Sequence, residues 1–292
     1  MATVPTSRTA SRASFGEQLR DYLINSVVFV FLTIASVIIL APFIWILATS
    51  LRLPRESFTL PPKWLPTDFY VSNYRAVFEA VQFGRFFLNS VFVSAMVVAG
   101  QLVTASMAAF AFARLRFPGK GVLFALLMSA LMIPIQATII PVFVLMSKVG
   151  LANTLWSLIL PGWSSAFGVF LLRQYFLTIP NELEDAARID GANTWQIYWQ
   201  IMLPLCRPAL AVLAILTFNG TWNEYFRPLI FLNTPDNFTL PLGLVSLRGS
   251  FSSGSISVVL AGVVLSLLPV LFLYIFAQKY LVEGITATGV KG

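Results

Sequence analysis

Six stretches of the chain run without a single Asp, Glu, Lys or Arg: 22–51, 86–113, 121–147, 150–172, 208–223 and 249–278. A helix rises about 1.5 Å per residue and needs roughly 20 residues to cross a hydrocarbon core. Five of the stretches are long enough, and the fifth in order becomes so when extended past Glu224. None alternates apolar and polar positions as the segments of a closed membrane barrel do. The pattern predicts an all-α membrane protein with six transmembrane helices, at about 23–51, 86–113, 121–147, 153–177, 207–232 and 253–280. The first run exceeds the roughly 7–15 apolar residues of a cleaved signal peptide, so it reads as a retained helix.

Between these runs, residues 1–22 form a polar tail, and 52–85 an external loop whose Pro54, Pro61, Pro62 and Pro66 predict an extended strap. Within that loop "SNYRAVFEAV" reads as a short amphipathic helix capped by Ser72 or Asn73. The third helix carries Pro134 and Pro141, and the fourth contains "LPGWSS". Each proline removes a backbone donor and clashes with the preceding turn, so both helices should kink or break. Such breaks fit either a polar path among helices 3, 4 and 5 or a packing kink. No internal repeat is visible.

Composition agrees: 58% of residues are hydrophobic, 11% are charged, 26 are Phe and the mean hydropathy is +0.82. The net charge of +7 bears on orientation. Arg114, Arg116 and Lys120 in "ARLRFPGK" and Arg8, Arg12 and Arg20 in the tail place both segments in the cytoplasm. Six crossings then put 173–207 and the carboxyl-terminal tail, 284–292, inside as well, in a multi-pass protein of the cell membrane. Arg52, Arg55, Lys63, Arg75 and Arg85 in the external loop run against this, a departure that longer loops tolerate. With no His and one Cys, Cys206, intrachain disulfides are impossible and His- or thiolate-built metal and catalytic sites are largely excluded. No Gly-x-x-x-x-Gly-Lys-Ser/Thr loop occurs, so this chain is not expected to bind ATP by itself, nor to be an enzyme.

One polar segment stands out, "ELEDAARIDGANTWQIYWQIMLP" at 182–204, where Glu182, Glu184, Asp185 and Asp190 crowd into nine positions of a chain with twelve acids. Pro180 marks a helix start, acids follow where the macrodipole favours them, and Gly191 supplies a stop. A second start falls at Asn193 or Thr194, and "WQIYWQIML" runs on to Pro204. The prediction is a helical hairpin over 179–204. Helices of about ten residues are marginal alone, so this one rests on something. Leu183, Ala186 and Ala187 offer a shallow face suited to docking; the alternative is a solvated connection.

The spacing Asp185-Ala186-Ala187, three residues, Gly191, nine residues, Ile201, one residue, Leu203-Pro204 resembles the motif of permease subunits of binding-protein-dependent ABC importers. It departs at one position, where Asp185, with Glu184 beside it, replaces the usual Glu. The longer segment, "FPGKG", "WNEYFRPLIFL" and "GITATGVKG" are similar to the maltose-type "G" permeases of carbohydrate uptake, over roughly residues 24–292. The resemblance implies a coupling helix that seats on a separate ATPase through Leu183, Glu184, Asp185, Ala186, Ala187, Gly191, Ile201, Leu203 and Pro204. It implies that ATP and Mg bind the partner ATPase, with no cofactor in this chain. It also implies a second permease subunit, an ATPase dimer and an extracytoplasmic sugar-binding protein met by segments 52–85 and 233–255, with no nucleic acid.

For the substrate path, Asn219 and Asn223 share one face of the fifth helix at i and i+4. Amides beside an aromatic, Trp222, suit sugar hydroxyls and ring faces. Gln136 in the third helix is a further candidate. Glu224 lies about 25 Å along from Arg207, near the outer edge, with Arg227 one turn on. The same residues also fit interhelical hydrogen bonding and an interfacial Trp. A self-sufficient ion-coupled transporter would want acids at mid-membrane, where Glu224 is the sole candidate. An intramembrane enzyme lacks its usual groups. A neutral mono- or oligosaccharide is the expected cargo; the same architecture could carry glycerol-3-phosphate or another polyol.

Overall fold

The computed structural model describes residues 15–56, 69–250 and 255–289. Arg8 and Arg12 of the tail, Pro61, Pro62, Lys63 and Pro66 of the strap, residues 251–254, and Val290, Lys291 and Gly292 lie outside them. Among the described residues every regular element is helical. In chain order these are α1 (Phe15–Ser50), α2 (Ser72–Ala80), α3 (Phe83–Arg114), α4 (Lys120–Ser129), α5 (Ile135–Lys148), α6 (Trp156–Gly162) and α7 (Ala166–Thr178). There follow α8 (Glu182–Ile189), α9 (Thr194–Gln196), α10 (Leu203–Leu205), α11 (Arg207–Trp222), α12 (Phe226–Phe231), α13 (Leu240–Ser250) and α14 (Ile256–Gly289).

Among the described residues three helices, over Tyr22–Ser50, Phe83–Arg114 and Ile256–Gln278, are long and apolar enough to cross a membrane. Lys120–Met132 with Ile135–Lys148, bent by 105°, and Thr194–Leu205 with Arg207–Trp222, bent by 74°, raise the number to five if each pair is one span.

Several boundaries differ from the sequence pattern, each for a local reason. α1 begins at Phe15, inside the polar tail, because extending a formed helix costs little beside nucleating one. The break in the third hydrophobic run falls at Pro134: Ile133 before it is extended, as residues preceding proline prefer. Pro141 sits inside α5 without breaking it; the carbonyl it frees belongs to exposed Ala137. The fifth run is also broken, where a continuous helix was expected. Pro228 has no N–H and its ring would meet the Glu224 carbonyl in an unbroken helix, so α11 stops at Trp222 and α12 starts at Phe226. The 233–255 segment is not simply a loop, because Leu240 and Leu247 are fully buried and fold it into α13.

Neither Ser72 nor Asn73 caps α2, whose N-cap is Val71 with no side-chain bond. Asn73 is buried instead, and its amide donates to the carbonyls of Ser50 at 2.8 Å and Arg52 at 2.7 Å, tying α2 to the end of α1.

The 32-residue α3 is the central post, packed against α6, α7, α11 and α13. Small residues let neighbours approach it. A Cβ on Gly100 would lie 2.0 Å from the Trp163 indole, which occupies that notch and donates from Nε1 to the Met96 carbonyl at 3.0 Å. Trp163, Ser164 and Ser165 form the break between α6 and α7, and the Ser165 hydroxyl caps α7 by accepting from the Gly168 N–H at 3.0 Å. The broken fourth run is thus locked to the post at its break.

Candidate functional site

The 182–204 segment folds as a hairpin built into the core. Gly191 adopts φ +87°, a conformation that favours glycine, and turns the chain after α8. Asn193 then opens α9 with a reciprocal capping box: its Oδ1 accepts from the Gln196 N–H at 2.9 Å, and Gln196 Oε1 accepts from the Asn193 N–H at 2.8 Å. Between α9 and α10, Ile197–Met202 form a π-helical turn with Ile197, Tyr198 and Met202 buried. The Tyr198 hydroxyl lies 2.8 Å from Ser106 Oγ on α3. These side chains join Phe110, Leu172, Phe176 and Leu213 in one apolar cluster, so α3, α7, the hairpin and α11 share a core.

Charge fixes the other arm. Arg114, the last residue of α3, places Nε 2.8 Å from Glu184 Oε1, and both side chains are only 6% exposed. Its remaining nitrogens donate to Asn181 Oδ1 and to the Phe176 and Ile179 carbonyls, the Phe176 bond at 2.6 Å. One guanidinium therefore holds the carboxyl end of α7, the turn and α8 together. From the sequence Arg114 had been read only as an orientation signal; an arginine at the end of one element and a carboxylate far along the chain carry no spacing that pairs them.

The motif residues divide between two faces. Glu184 and Ala187 point inward, the latter into the shared core, whereas Leu183, Asp185, Ala186 and Gly191 are exposed. The expectation that Ala187 belongs to an outward face is thereby corrected: on a 3.6-residue period it follows buried Glu184, not exposed Ala186. Ile201, Leu203 and Pro204 are half-buried, the first two packed against the core. The outward stripe is Leu183, Ala186 and Ile189, and Ile189, which sequence reasoning passed over, is 86% exposed.

A second feature is an open cleft of about 670 Å³ among α3, α5, α6, α11 and α12. Gln101, Thr138, Ser164, Thr217, Thr221 and Glu224 are among its polar lining residues. Ser164 and Ser165 also line a smaller cleft of about 340 Å³ beside Thr104 and Leu127, so the α6–α7 break lies between the two. Of the predicted path residues only Glu224 lines the larger cleft, and it is engaged by Arg227 through both carboxylate oxygens.

The other candidates lie elsewhere. Trp222 is buried, donates to the Ser266 carbonyl at 3.1 Å and packs against Phe218 and Phe87, holding α11 to α14. Its indole is too apolar to leave a protein contact of that size for the cleft. Asn219 and Asn223 do share an exposed face and bond one another, Nδ2 to Oδ1 at 3.1 Å, but neither lines the cleft. Gln136 is exposed while Ile135, Thr138 and Ile139 line the cleft, because Pro134 resets the helical phase just before it.

Apolar helices broken around a cleft of mixed polar and apolar lining, with a helical hairpin clamped to their shared core, are the architecture of a membrane permease. The chain matches the binding-protein-dependent transport system inner membrane component over residues 101–286, and it belongs to that family. It is 40% identical over 228 residues to the arabinooligosaccharides transport system permease protein of Halalkalibacterium halodurans, covering 78% of this chain and 81% of that one. It is 33% identical over 279 residues to the galactooligosaccharides transport system permease protein of Bacillus subtilis, covering 94% and 98%. A crystal structure of a bacterial ABC transporter involved in the import of the acidic polysaccharide alginate contains a chain that superposes with a TM-score of 0.78 at 28% identity, covering 93% and 99%.

Proposed function

We propose that this chain is the non-catalytic permease subunit of an ATP-driven sugar importer and forms half of the path across the membrane. In this reading its amino and carboxyl termini and the 182–204 hairpin face the cytoplasm. A second permease completes the path, a pair of ATPase subunits binds ATP and Mg, and an extracytoplasmic binding protein delivers the sugar.

The observation that carries the reading is the hairpin. Its spaced residues Asp185 to Pro204 fold into a body fastened to the core through Glu184 and Ala187, while Leu183, Ala186 and Ile189 stay exposed as a contact stripe. A partner that moves this stripe moves α3, α7 and α11 with it, which is what coupling to ATP hydrolysis requires. The oligosaccharide transport named for the relatives supports a sugar cargo. A neutral sugar fits better than glycerol-3-phosphate, since the arginine lining the cleft, Arg227, is already paired. That same pairing disfavours Glu224 as the proton- or ion-coupling acid of a self-sufficient transporter.

The test is to tag the chain, extract it gently from its native membrane and identify what accompanies it by mass spectrometry. Co-purification of a second permease and an ATPase is expected. A chain that emerges alone and transports in ATP-free vesicles overturns the reading.

A further inference from the structure

The larger cleft contains a full cation–anion pair, yet the groups it leaves free are uncharged. Gln101 on α3 lines it, is 8% exposed, and has no hydrogen-bond partner for its side-chain amide among the described residues. A primary amide offers two donors and an acceptor, a match for a hydroxyl that gives and takes a hydrogen bond at once. The hydroxyls of Ser164, Thr217 and Thr221 line the same space. Gln101 adds its amide to them from α3.

Arg227 is the cation of this wall, and its Nε and Nη2 both donate to the carboxylate of Glu224. A guanidinium recognises a carboxylate by that same two-bond fork. Glu224 therefore occupies the geometry an incoming uronate would need, and adds a negative charge that repels it. The two side chains are 15% and 17% exposed, so water screens this contest only partly.

We infer that Gln101 contacts the glycan and that Glu224 sets specificity by masking Arg227, so that the cleft selects uncharged sugar rings over uronates. This rests on the sugar-permease reading above.

The experiment uses the complex co-purified with this chain, in nanodiscs and without its binding protein, with equilibrium dialysis of labelled arabinotriose, galactotriose, diacetylchitobiose and trimannuronate. The wild-type complex is expected to bind at least one neutral probe about tenfold more tightly than trimannuronate. Gln101→Leu should weaken that neutral binding about tenfold. Glu224→Gln should tighten trimannuronate about tenfold, and Glu224→Gln combined with Arg227→Gln should return it to the wild-type value.

Wild-type binding of trimannuronate as tight as of every neutral probe, or of no probe at all, overturns the inference without any variant, and so decides the matter even if Glu224→Gln fails to assemble. An assembled Glu224→Gln complex with unchanged uronate affinity overturns it too, as does an assembled Gln101→Leu complex that keeps full neutral affinity. A chain that purifies without an ATPase defeats the permease reading itself; a sugar-stimulated complex with no charge preference defeats this inference alone.

Discussion

Arg114 and Glu184 meet at 2.8 Å where both side chains are almost fully sealed, joining the end of α3 to the first arm of the hairpin. The acid at the family's usual motif position, Asp185, is exposed and has no ion pair among the described residues. Burial and exposure are thus divided between adjacent carboxylates.

Removing one member of a buried pair strands the other, at a cost of about 3–5 kcal/mol. Glu184→Ala should lower the Tm of the purified chain strongly or remove it from the membrane fraction. Asp185→Asn should change stability by no more than about 0.5 kcal/mol, yet reduce sugar-stimulated ATP hydrolysis by the assembled complex. Equal effects of the two on Tm would refute the division.

At Gly191 a Cβ would meet no neighbour within 4 Å, so space is not the constraint; the φ of +87° is. Gly191→Ala should cost roughly 1–2 kcal/mol from the left-handed backbone alone. Gly191→Trp should remain in the membrane, scored by immunoblot, while sugar-stimulated ATP hydrolysis is abolished. Undiminished coupling in that variant sinks the docking role.

The Gly100–Trp163 contact predicts a rescue. Gly100→Ala forces a methyl into the indole and should destabilise by about 1–3 kcal/mol or more. Adding Trp163→Ala empties the notch and should recover part of that loss in thermal melts, so the two changes are non-additive. Simple additivity would show the notch to be wrongly drawn.

Trp222→Phe keeps an aromatic ring but trims the buried indole and deletes its bond to the Ser266 carbonyl. A loss of about 1–3 kcal/mol in stability is expected, with sugar affinity unchanged per folded complex. A selective loss of affinity would return Trp222 to the substrate path.

Cys206 is completely buried between the hairpin and α11. A thiol that no reagent can reach is inert whatever its intrinsic reactivity. Maleimide at pH 8 should leave the native protein unlabelled and modify it after unfolding in detergent. Rapid labelling of native protein would contradict this burial.

Periodicity and charge made the helical runs and the hairpin legible, because each depends on residues close in sequence: Gly191 and Asn193 announce their turn and cap where they stand. What was not legible depends on phase and on distant partners. The resemblance gave the hairpin's contact set, but only packing shows that Glu184 and Ala187 face inward. Pro228 breaks the fifth run through a carbonyl four residues earlier, and within α11 it is Leu216, Thr217, Gly220 and Thr221, not Asn219, that line the cleft. Gln101, in the middle of an apolar stretch of α3, looked like one polar residue on a long helix. Its place beside the α6–α7 break, next to the notch at Gly100, depends on packing that no local spacing announces.

Asn153, at φ +58°, receives Asn233 N–H and Thr234 N–H at 2.8 and 3.1 Å on its Oδ1, donates Nδ2 to Thr234 Oγ1 at 2.7 Å, and donates its own N–H to the Phe231 carbonyl at 2.9 Å. Asp236, in the strand of chain so fastened, also meets Arg85 of α3 at 3.1 Å. Mechanically, the α5–α6 connection and the α12–α13 connection are therefore fastened to each other through one residue. A displacement of residues 233–237 is passed to residues 150–155 through the side chain and backbone of Asn153.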